Sequence, residues 1–100
     1  MSQVVDDASF VLRSTNRTAV LRRLSEGAAI PSQIREATGQ AYSRISEAVH
    51  ALRDRDLIEL LVDEETKRGR VYAITSRGRD VLEFMHENKM LDDDSDYGRR

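Results

Sequence analysis

The sequence contains no cysteine and no tryptophan, and has a single proline, two phenylalanines, three tyrosines and two histidines. Without cysteine there are no disulfides, no thiol redox sensing and no thiolate-ligated metal. His50 and His86 lie far apart in the sequence with no obvious partners and cannot make a closed site alone, so neither a metal nor a cofactor is expected. No apolar run approaches the ~20 residues that cross a bilayer, which removes the membrane as a partner. The start, Met1 to Asp7, lacks the basic flank and long apolar stretch of a secretory signal, so a cytoplasmic location is the expectation. The carboxylates form no convincing catalytic pair and no serine or threonine has an identifiable base, so enzymatic activity is not expected.

What is present suits one small globular domain. The 100 residues are 39% hydrophobic and 34% charged, enough for a single core and too few for a separate ligand-sensing domain, and no small-molecule effector is identifiable. The formal net charge is -2, against the usual expectation for a nucleic-acid binder. Its distribution says more than its sum. The four aspartates of residues 92–100 outnumber Arg99 and Arg100, so residues 1–91 balance to zero, and an acidic, disordered tail is expected from Asp92 onward. Lys67, Arg68, Arg70, Arg77 and Arg79 crowd together with only Asp80 beside them, which makes one basic patch.

Hydrophobic periodicity divides residues 1–91 into short elements. Asp6 to Arg13 reads as a leading helix, and Ser14 or Thr15 as the N-cap of a second helix that runs to about Ser25. Ala28-Ala29-Ile30 is a candidate short strand, with Pro31 at the first position of a helix reaching about Thr38. Gly39 supplies a positive φ, and a further helix runs from Ala41 to about Asp54. Its Ile45, Ala48, Val49 and Leu52 form a core stripe, while Ser43, Glu47, His50 and Asp54 lie opposite with Arg44 and Ser46 on the flanks. Leu57 to Val62 and Val71 to Thr75 have strand composition and flank a hydrophilic stretch containing Gly69, the pattern of an antiparallel hairpin with a charged tip. Thr75 or Ser76 caps a last helix with two apolar sides, Val81, Leu82 and Met85 on one and Phe84 and Leu91 on the other.

This order of elements, with Ile34, Gly39 and Ile45 in the two short helices, Leu57-Ile58-Glu59 after them, and the junction Tyr72-Ala73-Ile74-Thr75-Ser76-Arg77-Gly78-Arg79, resembles the winged helix-turn-helix, most similar to small archaeal regulators of the MarR, ArsR and PadR type. The resemblance covers roughly Phe10 to Leu91. It implies an α+β, mainly α fold: a three-helix core with a β-hairpin wing and a C-terminal helix. One departure is Arg35, which follows Ile34 where such units usually carry alanine; Ala37 is the alternative site of close helix approach.

The resemblance implies a regulator of transcription bound to double-stranded DNA, a homodimeric repressor that reads a palindromic site. A major groove about 12 Å wide admits one helix, and Ala41 to Asp54 fits that role. Arg44 is the candidate for bidentate contact with guanine, and Ser43, Ser46 and His50 for bases or phosphates. Glu47 either accepts from cytosine or discourages non-specific binding, and Tyr42 packs its ring while offering its hydroxyl to a phosphate. Lys67, Arg68 and Arg70 suit phosphates or the minor groove, unless Asp63, Glu64 and Glu65 neutralise them. Ser32, Arg77 and Arg79 are candidate phosphate contacts, with carboxylate pairing the alternative for the two arginines. Phe84 and Leu91 make either a dimer contact or additional core. The competing function is a protein-interaction module in a larger assembly, which the near-neutral charge favours and the basic wing disfavours.

Overall fold

Ser14 breaks the first helical stretch in extended conformation, φ -136°, and its Oγ accepts from the Arg17 amide at 3.2 Å, so that one helix ends and another begins within three residues. In the computed structural model, which describes residues 3–61 and 70–91, the elements are α1 (Gln3–Leu12), α2 (Thr15–Leu24), α3 (Pro31–Thr38), α4 (Tyr42–Asp54), β1 (Ile58–Leu60), β2 (Tyr72–Ile74) and α5 (Ser76–Glu87). This is a winged helix: mainly helical, with α2, α3 and α4 as the three-helix core and the antiparallel pair β1–β2 as the base of the wing. The expected tip of the wing and the acidic tail lie outside the described residues.

The helix α1 starts three residues earlier than its periodicity suggested. Val4, Ala8 and Val11 form its inner stripe, and Asp7 shares that stripe, so a charged residue interrupts the pattern by which the helix would be recognised. The core gathers around α2, which touches each of the other helices and β2, with Val20, Leu21 and Leu24 fully buried. Burial of each such side chain contributes about 1.5–3 kcal/mol. The expected strand at residues 28–30 is reduced to one bridge: Ala29 and Tyr72 exchange hydrogen bonds of 3.0 and 2.9 Å, and Tyr72 also pairs with Leu60 across the hairpin. Both hairpin strands are shorter than their composition suggested, since pairing in register extends only from Ile58↔Ile74 to Leu60↔Tyr72.

The α3–α4 turn closes as Gly39 adopts φ +76° and donates its amide to the Arg35 carbonyl at 2.7 Å. Thr38 secures it, its Oγ1 donating to the Ile34 carbonyl and accepting from the Gln40 amide. Ile34 is the buried residue of α3; Ala37 is exposed and does not serve for close approach, because the inner face runs through Ile34 and Thr38.

Two further turns, α4 to β1 and β2 to α5, are fused. Asp56 takes φ +63°, its carbonyl accepts from Thr75 Oγ1 at 2.7 Å, and the Thr75 amide donates to the Leu57 carbonyl at 3.1 Å. Thr75 Oγ1 also accepts from the Gly78 amide and so caps α5. Gly78 is buried where a Cβ would collide with the Leu57 carbonyl oxygen. Asp7 reaches this junction from α1: its carboxylate is 1% exposed and accepts from Arg77 Nε at 2.8 Å, Arg77 Nη2 at 3.2 Å and Arg55 Nη1 at 3.1 Å. Burial alone would raise the carboxyl pKa; the hydrogen bonds and charges of Arg77 and Arg55 outweigh it and hold Asp7 below the usual aspartate range.

Candidate nucleic-acid interface

The recognition-type helix α4 is held by one side and free on the other. Ile45, Ala48, Val49 and Leu52 are buried, as the 3.6-residue period demands, and Ser43, Arg44, Ser46, Glu47, His50 and Asp54 are exposed. Its N-cap, Ala41, provides no side-chain cap, and its first turn carries no acidic residue, so the positive end of the helix is left uncompensated. The contrast is with α2 and α5, where Ser14 and Thr75 fill that role.

The structure brings the candidate residues together in two places. Arg44 and Glu47 border a small cleft with Ser14, Asn16 and Arg17 at the start of α2. The Arg44 guanidinium makes no hydrogen bond or ion pair with another described residue, which leaves its side-chain donors for a partner. Ser32 and Tyr42 share a groove of about 510 Å³ with Arg35, Glu36 and Gly39. There the Arg35 guanidinium lies 5.0 Å above the Tyr42 ring, and Tyr42 is 50% exposed. Its ring therefore packs on an arginine rather than into the core. Arg35 was legible only as a departure from the motif; the contact spans the glycine turn, where no helical periodicity links positions 35 and 42.

Other candidates stand apart. Arg70 is exposed at the edge of the described wing, while Lys67 and Arg68 lie outside the described residues. Arg77 pairs with a carboxylate, the alternative the sequence left open for it: Nε and Nη2 of its guanidinium donate to Asp7, which also raises its pKa by hydrogen bonding. The carboxylate that claims it comes from the far end of the chain, where no local pattern could reveal it. Arg79 is exposed and borders a groove of about 420 Å³ between α2 and α5 with Arg22, Leu82, His86 and Leu91, away from the α4 face. Phe84 and Leu91 are half-buried against the core. Among the described residues no cluster of histidine and acidic side chains could hold a metal, and no helix is long and apolar enough to cross a membrane.

Helix, short bridge, two helices about a glycine turn and a two-stranded wing together define the winged helix-turn-helix class. Within it, the chain belongs to the family described as the HVO_A0261 N-terminal domain, whose sequence model matches residues 5–93. No curated protein matches it. Among solved structures it is similar to the reduced form of the transcriptional regulator YodB from B. subtilis, with TM-score 0.73 and 20% identity over 94% of this chain and 93% of that one. It is similar to Bordetella bronchiseptica BpsR, whose DNA binding is regulated by 6-hydroxynicotinic acid, with TM-score 0.73, 20% identity and coverage of 87% and 67%. It is also similar to NMB1585, a MarR family regulator from Neisseria meningitidis, with TM-score 0.68 and 25% identity; 84% of this chain matches 60% of that one.

Proposed function

We propose that this chain is a sequence-specific double-stranded DNA-binding regulator of transcription, acting as a homodimer that represses by occluding its site. The observation that carries the reading is the outer face of α4: Arg44, Ser43, Ser46, Glu47 and His50 are exposed around a helix whose opposite face is locked in the core. Arg44 supplies guanine recognition, with Ser43, Ser46 and His50 reaching neighbouring bases or phosphates. Tyr42 and Ser32 face the backbone beside Arg35, and Arg70, with Lys67 and Arg68, supplies the wing's phosphate contacts. The fold is shared with YodB, a transcriptional regulator, and with TubR from Bacillus thuringiensis, which has been seen bound to 24 bp of tubC and has TM-score 0.72 to this chain.

A dimer follows from size, because one such domain buries too little DNA surface for tight specific binding, whereas twofold symmetry places two recognition helices one turn, roughly 10 base pairs, apart. Phe84 and Leu91, only half-buried on α5 and the chain after it, are the proposed contacts, with the exposed Val5 and Leu12 of α1 beside the same helix pair. A cytoplasmic setting and the absence of enzymatic activity belong to this reading.

Selection of bound duplexes from a random pool, followed by anisotropy titration, tests it. Log affinity should fall with log salt by about 0.9 for each phosphate contacted. No retention of any duplex at low salt would overturn the reading in favour of a protein-interaction module, and a light-scattering mass of one chain at micromolar concentration would remove the dimer.

A further inference from the structure

Asp7 is a charged residue buried in a stripe otherwise made of Val4, Ala8 and Val11, and a carboxylate in such a place lowers stability unless something requires it. Its partners identify the requirement. Arg55 is the C-cap of the recognition helix α4, one residue before the positive-φ turn that opens the wing; Arg77 is the second residue of α5, just after the wing closes. One carboxylate from α1 thus grips the exit of the reading helix and the exit of the wing, across 48 and 70 residues of sequence. A second α1 residue reinforces it: the Phe10 ring lies 4.2 Å beneath the Arg55 guanidinium and 4.0 Å from that of Arg17, which donates Nη1 to the Phe10 carbonyl at 2.7 Å.

We infer that Asp7 is a positioning residue for DNA reading: by binding Arg55 and Arg77 together it sets the angle between α4 and the wing, and so makes the placement of α1 part of what the protein can recognise. Neutralising the carboxylate releases two guanidinium groups and leaves every DNA-facing residue unchanged. A merely structural residue would, on removal, weaken all sequences in proportion to the unfolded fraction. Loss of a positioning residue acts on discrimination, since base contacts depend on alignment while phosphate attraction depends on charge, which increases.

The inference rests on the DNA-reading function proposed above, and the test separates the two. Wild-type protein is titrated first against a duplex selected from a random pool and against a scrambled duplex; absence of binding to either overturns that function and the inference with it. Given a discriminating wild type, Asp7→Asn is measured at a temperature where circular dichroism shows it folded. The ratio of selected to scrambled affinity should fall about tenfold, the loss expected from misaligning one bidentate base contact, with scrambled affinity unchanged or stronger. Val20→Ala, a core truncation in α2 outside the Asp7, Arg55 and Arg77 contacts, should keep the wild-type ratio. Hydrogen exchange at the Leu57 and Thr75 amides should quicken in Asp7→Asn relative to Leu21 and Leu24. A ratio within twofold of wild type, or an equal drop in Val20→Ala, overturns the inference. If Asp7→Asn does not fold, Arg55→Gln and Arg77→Gln, each leaving Asp7 one arginine, are measured in the same way and judged by the same criterion.

Discussion

Arg55 and Arg77 at the α1 junction and Arg44 on α4 carry the same side chain under opposite conditions. The first two are about a third exposed, at 38% and 35%, and are committed to one buried carboxylate; Arg44 is exposed and uncommitted among the described residues. Among the helix starts, α2 and α5 are capped by Ser14 and Thr75, while the two helices about the glycine turn, α3 and α4, have no N-cap side chain bonded to their first turn. Where polar groups are satisfied internally they hold the scaffold, and where they are left open they wait for a partner. Composition does not make this distinction, which is why a chain of net charge -2 can still expose an uncommitted arginine.

The comparison breaks most easily at its buried end. Asp7→Ala leaves Arg55 and Arg77 facing each other without their counter-charge, and should cost about 3 kcal/mol, the low end for a broken buried pair because both arginines are partly solvated. Urea titration at neutral pH measures it. The folded-state pKa of Asp7 lies below its unfolded value, so the carboxylate's contribution is fully present above the unfolded pKa of about 3.9 and is lost as pH falls through the folded value. Stability of Asp7→Ala should therefore decline less steeply than wild type at pH values below about 4; parallel acid curves would place the ion pair's energy elsewhere.

Next in size, Gly78→Ala drives a methyl into the Leu57 carbonyl and should cost about 2 kcal/mol by thermal denaturation, comparable with overpacking a core. A neutral outcome would mean that the two wing turns are not locked to each other. At the open end, Arg44→Ala should leave the melting temperature nearly unchanged, yet weaken binding to a selected duplex by about 1–3 kcal/mol and relax preference at one base pair. Arg70→Ala should have the smallest effect, a uniform weakening across sequences and a salt slope reduced by about 0.9. Equal effects of the last two on sequence preference would show that α4 is not the reading element.

Much of the fold was legible because it is written locally. Pro31 and Gly39 delimit α3, the pairs Ser14-Thr15 and Thr75-Ser76 announce α2 and α5 to within one residue, and the stripe Ile45, Ala48, Val49, Leu52 places the inner and outer faces of α4 without any tertiary information. Strand lengths and the bridge at Ala29 were less legible, because pairing ends where a partner ends. The exposed face of α4 followed from its buried one, so the candidate base contacts could be named in advance.

What the sequence by itself determined is the order of the elements and which side of each must be buried, since period, caps and turn residues act within a few positions. Only the tertiary structure decided which arginines are spent. Arg77 read equally as a phosphate contact or a carboxylate's partner until Asp7 met it from 70 residues away, and Arg35 read as an irregularity until the turn at Gly39 laid it over Tyr42. A charge's availability is set by what lies within a few ångströms of it in space, and that neighbour is chosen by the packing of helices distant in the chain.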